Sequence, residues 1–111
     1  MTVPGNVNFT YYHCVSEPSS GRLLSKLISN SATATVESCL QDCWQYKFAG
    51  IEYRGECYCG DTLNWAGNTG ATPGANVSES QCSMTCRGNT SEFCGAGLRL
   101  NLYAKKAVLP V

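Results

Sequence analysis

The sequence predicts a small α+β domain that is cross-linked by disulfides. Three observations favour this class: eight cysteines among only 111 residues, one segment with helical periodicity, and several short segments of β-branched, aromatic or alternating apolar residues. A chain of this length folds as one domain with a modest core, so each disulfide, at about 2–4 kcal/mol, matters to its stability. The order of the segments predicts a twisted antiparallel sheet with one main helix against it.

The cysteines form the clusters CxxxC, CxC and CxxxC. An even number of cysteines in a short chain indicates disulfides and an oxidising compartment. Sequons for N-glycosylation begin at Asn8, Asn76 and Asn89 and favour the same extracellular location, secreted or at the cell surface. Zinc is the alternative, because four thiolates close a structural zinc site, but the CxxC spacing usual for zinc is absent. We therefore expect disulfides, no metal ion and no cofactor.

Charge and hydropathy exclude several kinds of partner. Eight Lys and Arg residues balance eight Asp and Glu residues, so no basic surface is expected to hold nucleic acid or anionic lipid. No apolar stretch approaches the roughly 18 residues of a membrane helix. Met1 to Gly5 lacks the features of a signal peptide although the cysteines require export, so we interpret the chain as a module of a longer secreted or membrane-anchored protein. Residues 1–8 are the predicted N-terminal flank, 9–104 the domain and 105–111 the start of a linker.

The first half of the chain predicts one strand and one helix. Phe9 to Val15 is rich in aromatic and β-branched residues, which is typical of a strand, and Ser16 to Gly21 is a predicted loop. Thr35 is a candidate N-cap, and the apolar residues after it recur at helical spacing. These features predict a helix from about Val36 to Gln45 that turns both of its cysteines inward.

The second half predicts a hairpin, a long loop and two further elements. Ala49 to Arg54 and Glu56 to Cys59 flank the turn signal Arg54-Gly55, which favours a β-hairpin. Gly60 to Val77 is rich in turn residues and predicts a loop. Ser78 and Gln81 match a capping box, which predicts a short helix that carries Cys82 and Cys86 and ends near Gly88. Leu98, Leu100 and Leu102 alternate with polar residues or Tyr103, which predicts a half-buried final strand.

These residues together resemble the WSC domain, the cell-wall integrity and stress component module of fungal surface proteins, which also occurs in Kremen-type animal receptors. The resemblance extends from about Tyr11 to Tyr103 and uses all eight cysteines. It departs from the family pattern at His13, Val15 and Ala96. The segments that carry the resemblance are Cys14, Gly21 to Leu24, Thr35 to Cys39, Cys43, Gly50 to Tyr53, Glu56 to Gly60, Cys82, Cys86, Gly88-Asn89, Cys94-Gly95 and Leu98 to Tyr103.

The resemblance implies a PAN/apple-like fold with four disulfides. Eight cysteines allow 105 pairings, so spacing alone does not select one. A helical CxxxC and a CxC on a strand each present two sulfurs on one face, so two parallel bridges between helix and sheet are physically sensible. The implied pairs are Cys14 with Cys82, Cys39 with Cys57, Cys43 with Cys59, and Cys86 with Cys94.

The resemblance also implies binding of carbohydrate, with fungal β-1,3-glucan and chitin, and sometimes plant xylan, as ligands. Such neutral polysaccharides present apolar ring faces edged with hydroxyls. A binder therefore needs solvent-facing aromatic rings, short polar side chains and little net charge. Two Trp, six Tyr and three Phe residues and a net charge of zero suit this requirement.

Trp65 is the first candidate for a binding platform, because a Gly-rich loop gives it poor prospects of full burial. The alternative is that its ring folds back as a lid over the core. Trp44 and Tyr46 are the next candidates. Trp44 is four residues after Leu40, at the edge of the helical apolar stripe, so packing is its alternative role, whereas Tyr46 follows the predicted helix and is expected to be more exposed.

Tyr11 and Tyr12 are further candidates, because successive residues of a strand point to opposite faces and one of the two should face solvent. Asn64 and Asn68, with Asp61, are positioned in sequence to hydrogen-bond sugar hydroxyls near Trp65, although loop Asn and Asp residues more often stabilise turns. The remaining aromatic residues considered are assigned to core packing: Tyr53, Tyr58, Tyr103, Phe48 and Phe93.

Two other classes of function are weighed against carbohydrate binding. A small hydrolase would use paired carboxylates, for which Glu52 with Glu56 or Asp61 are the available residues, while His13 is the only histidine. We expect no enzyme activity in this segment, although the full-length parent is a possible enzyme. The second class is the self-associating ectodomain head of a wall-stress sensor, which would use the same exposed aromatic residues.

Overall fold

Residues 1–106 are described by a computed structural model, and this part of the chain contains one α-helix and two antiparallel sheets. Of the predicted linker, Lys105 is the last residue of a strand, and residues 107–111 lie outside the described residues. The elements are β1 (Phe9–Ser16), β2 (Lys26–Asn30), α1 (Val36–Asp42), β3 (Phe48–Glu52), β4 (Glu56–Gly60), a 3₁₀ turn (Glu79–Gln81), β5 (Thr85–Cys86), β6 (Asn89–Phe93) and β7 (Arg99–Lys105).

The main sheet has five strands in the order β1-β7-β3-β4-β2, and every neighbouring pair is antiparallel. Strands β5 and β6 form a separate hairpin. The fold is therefore the small disulfide-rich α+β domain that the sequence predicts. None of the helices among residues 1–106 is long and apolar enough to cross a membrane.

The four disulfides join Cys14 with Cys82, Cys39 with Cys57, Cys43 with Cys59, and Cys86 with Cys94, which is the pairing that the resemblance implies. The bridges from Cys39 on α1 and from Cys43, which directly follows α1, run side by side to β4. The sulfurs of Cys39, Cys43 and Cys57 consequently lie within 4.8 Å of one another, but each belongs to a disulfide.

Helix α1 begins where the sequence predicts, because Thr35 caps it. The Thr35 hydroxyl accepts a hydrogen bond from the Ser38 amide at 3.0 Å, and the Ser38 hydroxyl accepts one from the Thr35 amide at 3.0 Å. The helix ends at Asp42, three residues earlier than predicted. Cys43 is tied to β4, and the chain turns there to enter β3.

The sheet carries one hydrophobic cluster on each face. Helix α1 covers the first cluster, which contains the two bridges from α1 and Tyr103. Loop residues cover the second cluster, which contains Val15, Leu24 and Tyr58. The final strand is consequently buried on both faces, and the prediction of a half-buried strand is wrong, because β7 lies between β1 and β3 with both of its faces covered.

The predicted helix that would carry Cys82 and Cys86 is wrong. Only a 3₁₀ turn forms there, the Ser78 side chain makes no capping hydrogen bond, and Cys86 lies on β5. The cause is the pairing of the cysteines: Cys82 is tied to β1, whereas Cys86 is tied to Cys94 within the β5-β6 hairpin. Gly88 lies in that hairpin rather than at a helix end, and a side chain there would collide with the Thr33 backbone.

The β3-β4 hairpin forms as predicted, but its turn is one residue earlier than expected. Tyr53 and Arg54 adopt left-handed φ angles of 47° and 73°. Tyr53 is exposed at the tip, so its assignment to the core is wrong, whereas Tyr58 and Tyr103 are buried as predicted. Strand β2 and the β5-β6 hairpin were not predicted. The N-terminal flank packs on the domain, where the carbonyl of the buried Val3 accepts a hydrogen bond from the Tyr103 hydroxyl at 2.7 Å.

We predict that Asn101→Ala destabilises the domain. The Asn101 side chain is fully buried; its Oδ1 accepts a hydrogen bond from the Gly95 amide at 2.7 Å, and its Nδ2 donates to the Tyr11 hydroxyl at 3.0 Å. Removal leaves the buried amide without a partner, which costs about 1–3 kcal/mol. Urea unfolding of this variant and of the exposed control Asn68→Ala measures the difference. Equal stability of the two variants would contradict the prediction.

Candidate functional site

The surface of the described residues is open. Residues 1–106 enclose no pocket, so the candidate contacts lie on the outer surface. The exposed aromatic side chains in this part of the chain are Trp44, Tyr12 and Tyr53, with 59%, 50% and 48% of their surface accessible to solvent. Their locations differ: Trp44 follows α1, Tyr12 lies on β1 and Tyr53 lies at the β3-β4 turn.

Trp44 stands on a backbone that is held from several sides. Its amide donates to the Gln41 carbonyl at 3.3 Å, and its carbonyl accepts a hydrogen bond from the Lys105 ammonium group. The Lys105 ammonium also lies 5.2 Å from the centroid of the Phe9 ring. Cys43, one residue earlier, is bridged to β4. The backbone is therefore fixed while the indole ring projects into solvent.

The early end of α1 decides which ring is exposed. Because the helix ends at Asp42, Trp44 is not placed one helical turn after Leu40 and does not join the apolar stripe. Tyr46 instead is partly buried against the first hydrophobic cluster. The relative exposure expected for Trp44 and Tyr46 is thus reversed.

Trp65 is partly buried and packs against the second hydrophobic cluster with Phe48 and Leu63. Its carbonyl accepts a hydrogen bond from the Gly74 amide at 2.8 Å, and a side chain at Gly74 would crowd the indole ring. The loop that carries Trp65 is therefore ordered by its own contacts. Trp65 takes the position of a lid, which is the alternative that the sequence left open.

The polar residues of the same loop stabilise its backbone. The Asn64 amide and side chain donate to the carbonyls of Leu23, at 2.9 Å, and Arg22, at 3.3 Å. The Asn68 amide donates to the Ser20 carbonyl at 3.0 Å. Both side chains remain exposed. Asp61 contacts a different segment: its carboxylate accepts a hydrogen bond from the Lys47 amide at 3.0 Å.

Tyr11 and Tyr12 point to opposite sides of β1, as expected for neighbours on a strand. The Tyr11 ring packs against Tyr103 with 5.1 Å between centroids, and its hydroxyl donates to Glu79 Oε1 at 2.6 Å. Burial and the Glu79 carboxylate raise the pKa of Tyr11. Tyr12 is the ring that faces solvent, and its hydroxyl accepts a hydrogen bond from Asn76 Nδ2 at 3.2 Å.

Sequence reasoning did not identify a cluster in which the exposed Arg22 side chain covers the buried carboxylates of Glu17 and Glu52. One Arg22 nitrogen, Nη1, lies 3.1 Å from a carboxylate oxygen of each glutamate, and the Arg22 guanidinium lies 5.4 Å from the centroid of the Tyr58 ring. Glu52 is only 2% exposed. Burial, and next the Glu17 carboxylate, raise the pKa of Glu52 well above its usual range, although Arg22 opposes the shift.

This cluster bears on the hydrolase hypothesis. A catalytic carboxyl group must reach its substrate, whereas Glu52 lies beneath Arg22 and is almost fully covered. Glu56 accepts a hydrogen bond from the Tyr58 hydroxyl at 3.1 Å. The geometry therefore favours a structural role for Glu52, which holds the loop that carries Glu17 and Arg22 against the sheet.

A disulfide-linked α+β domain with exposed aromatic rings and an open surface is typical of a small binding module. The WSC domain family matches residues 11–96 of the chain. The chain therefore belongs to the WSC domain family, a family of carbohydrate-binding-like modules.

Relatives with this domain are longer proteins. A WSC domain-containing protein of Arthroderma benhamiae is 42% identical over 95 residues, which are 82% of the chain and 10% of that protein. A second one from the same fungus is 31% identical over 97% of the chain and 14% of its own length. Xylosyltransferase oxt of Drosophila pseudoobscura pseudoobscura is 38% identical over 68% of the chain and 8% of its own length. The chain thus spans a small part of each of these relatives.

We predict that the two tryptophans differ in their contribution to stability. Trp65→Ala should lower the free energy of unfolding by about 2–4 kcal/mol, somewhat less than for a fully buried aromatic ring. Trp44→Ala should change it by less than about 0.5 kcal/mol, as is usual for an exposed side chain. Denaturant unfolding of both variants measures the two values. The reverse order would contradict the burial described above.

We also predict that Glu52 makes the domain less stable as the pH rises. The unfolded chain releases this proton near pH 4, whereas the folded chain keeps it because the pKa of Glu52 is raised. The stabilisation is fully present below the unfolded pKa and is lost as the pH rises towards the folded pKa. Glu52→Gln keeps the size of the side chain but cannot titrate. Its free energy of unfolding should therefore fall less than that of the unmutated chain between pH 5 and pH 8, roughly the range between the pKa of Glu52 in the unfolded chain and its raised pKa in the folded chain. An equal fall in both proteins would contradict this assignment.

Proposed function

We propose that the domain binds polysaccharide on its open surface, with Trp44 as the principal contact. The exposed indole ring of Trp44 is the observation that carries this proposal. The ring is large and apolar, it faces water, and its backbone is fixed by the contacts to Gln41, Lys105 and the neighbouring disulfide. A ring of this kind stacks on the apolar face of a sugar with little loss of backbone freedom.

The proposed ligands are neutral polysaccharides of cell walls: β-1,3-glucan, chitin or xylan. The chain has no net charge, which suits a neutral ligand. An open surface suits a long polymer better than a small molecule, because small-molecule sites are usually concave. Membership of a carbohydrate-binding-like family supports the same class of ligand.

The other predicted contacts have different parts in this proposal. Tyr46 lies two residues after Trp44 and offers only the part of its ring that stays outside the core. Trp65 and Tyr11 are limited in the same way by their packing. Tyr12 is half exposed and offers ring surface on β1. Asn64 and Asn68 present exposed amides on the loop of Trp65 and would assist a ligand that reaches that loop.

One exposed indole ring gives weak binding. We propose that affinity is gained when several modules or several contacts along one polymer act together. In this proposal the domain works outside the cell and attaches a longer protein to the wall. The relatives, which exceed the matched segment severalfold in length, are consistent with such an arrangement.

We predict that Trp44→Ala reduces retention of the domain on insoluble β-1,3-glucan, chitin or xylan. Loss of one stacking contact of about 1 kcal/mol lowers the apparent affinity severalfold, while Trp44→Tyr, which keeps a ring, should retain most of it. Leu27→Ala is the matched control, because Leu27 is similarly exposed, at 51%, but lies on β2. A pull-down with quantified bound fraction measures retention for the four proteins.

The other outcomes of the pull-down identify either a different binding site or a different function. Unchanged retention of Trp44→Ala, together with loss in Trp65→Ala at temperatures where that variant is folded, would place binding on the loop instead. No retention of the unmodified chain, with sedimentation that shows association at rising concentration, would support the self-associating head. Release of reducing sugar by the purified chain would support an enzyme.

A further inference from the structure

Asn76 lies on a backbone segment that extends the main sheet past β1. Val15 and Asn76 form an antiparallel bridge. On either side of it, the Ser16 amide donates to the Ala75 carbonyl at 2.8 Å and the Val77 amide donates to the Cys14 carbonyl at 3.0 Å. The disulfide from Cys14 to Cys82 closes the same segment. The position of the Asn76 side chain relative to β1 is therefore set by the sheet.

The Asn76 side chain points towards an exposed aromatic ring. Its Nδ2 donates a hydrogen bond to the Tyr12 hydroxyl at 3.2 Å, and both residues are exposed. Asn76 is also the first residue of the sequon Asn76-Val77-Ser78. A group attached to Nδ2 would therefore begin beside the Tyr12 ring and would replace no buried contact.

The other two sequons lack this arrangement. The Asn89 amide is engaged at both ends: Oδ1 accepts from the Ser91 amide at 2.9 Å, and Nδ2 donates to Oε2 of the buried Glu92 at 3.4 Å. The Asn89 Nδ2 atom therefore faces a carboxylate and not an aromatic ring. Asn8 is exposed, but the aromatic residue next to it, Phe9, is fully buried and offers no ring face.

We propose that Asn76 is a site of N-glycosylation and that the first sugar of its glycan packs on the Tyr12 ring. In the modification, Nδ2 forms a bond to the anomeric carbon of an oligosaccharide carried on a lipid diphosphate. The bond between that carbon and the phosphate oxygen breaks, Nδ2 loses one proton, and the lipid diphosphate leaves. The backbone contacts of Asn76 are unaffected, because they use its main chain.

The glycan changes which aromatic rings are available. Tyr12 is then covered by a sugar of the chain itself, whereas Trp44 lies at the end of α1, on a different element. The apolar face of the sugar gains a partner, and the exposed face of Tyr12 is removed from water. This proposal goes beyond polysaccharide binding: a glycan on Asn76 takes Tyr12 out of the contacts open to a polysaccharide and leaves Trp44, the principal contact, unchanged.

The first experiment measures occupancy. The full chain is secreted from eukaryotic cells that perform N-glycosylation, and tryptic glycopeptides are analysed by mass spectrometry after enzymatic deglycosylation in ¹⁸O-labelled water. The expected result is incorporation of the label at Asn76 in the parent chain and none in Ser78→Ala, whose substitution leaves Asn76 in place. Thr10→Ala removes the sequon of Asn8 and should not alter Asn76. An unmodified Asn76 would overturn the proposal.

The second experiment tests the contact with Tyr12. The glycan of the unmutated chain is trimmed to a single N-acetylglucosamine at Asn76, and the Tm of this chain is compared with that of Ser78→Ala. The same pair is then measured with Tyr12→Ala added to both proteins. The sugar should raise Tm by a few degrees when Tyr12 is present and by close to nothing in Tyr12→Ala. Tyr12→Phe keeps the ring and should keep the gain. The same gain in Tyr12→Ala as in the parent would overturn the packing of the sugar on the ring.

Discussion

The two parallel disulfides between α1 and β4 are the constraint on which the remaining structure depends. A helix of seven residues is too short to be stable in water by itself. The bridges Cys39–Cys57 and Cys43–Cys59 hold it on the sheet across sequence separations of 18 and 16 residues, for which loop closure contributes about 3 kcal/mol per bridge, less when the loops overlap as here. The first hydrophobic cluster forms around these sulfurs.

The same constraint decides which aromatic rings face water. The bridge at Cys43 ends the helix, turns the chain and leaves Trp44 outside the core, while Tyr46 packs inward. On the opposite face of the sheet no helix from residues 1–106 packs, and two loops form the cover. Glu17 and Arg22 fasten one loop to Glu52, and Trp65 packs the other against the second cluster. Whether an aromatic ring is exposed or buried thus depends on where the chain turns and on which segments cover each face of the sheet.

Local signals in the sequence predict the elements that local interactions stabilise. The start of α1 follows from the Thr35 side chain, and the β3-β4 hairpin follows from alternation. The capping signal at Ser78 is of the same kind but predicts a helix that does not form. The disulfides tie the two following cysteines, Cys82 and Cys86, to different parts of the fold. Strand β2 and the exposure of Trp44 depend on tertiary contacts, to which no short motif corresponds. The pairing of the cysteines came from the family resemblance.

The most direct test of the account is a titration of the ¹⁵N-labelled chain with soluble fragments of β-1,3-glucan, chitin and xylan. The chain has two tryptophans, so their indole N–H signals report separately on the exposed ring and on the packed ring. We expect the Trp44 signal to shift progressively with at least one of the three fragments, the Trp65 signal to stay in place, and reduction of the disulfides to abolish the response. A shift of Trp65 alone, or no shift with any fragment, would contradict it.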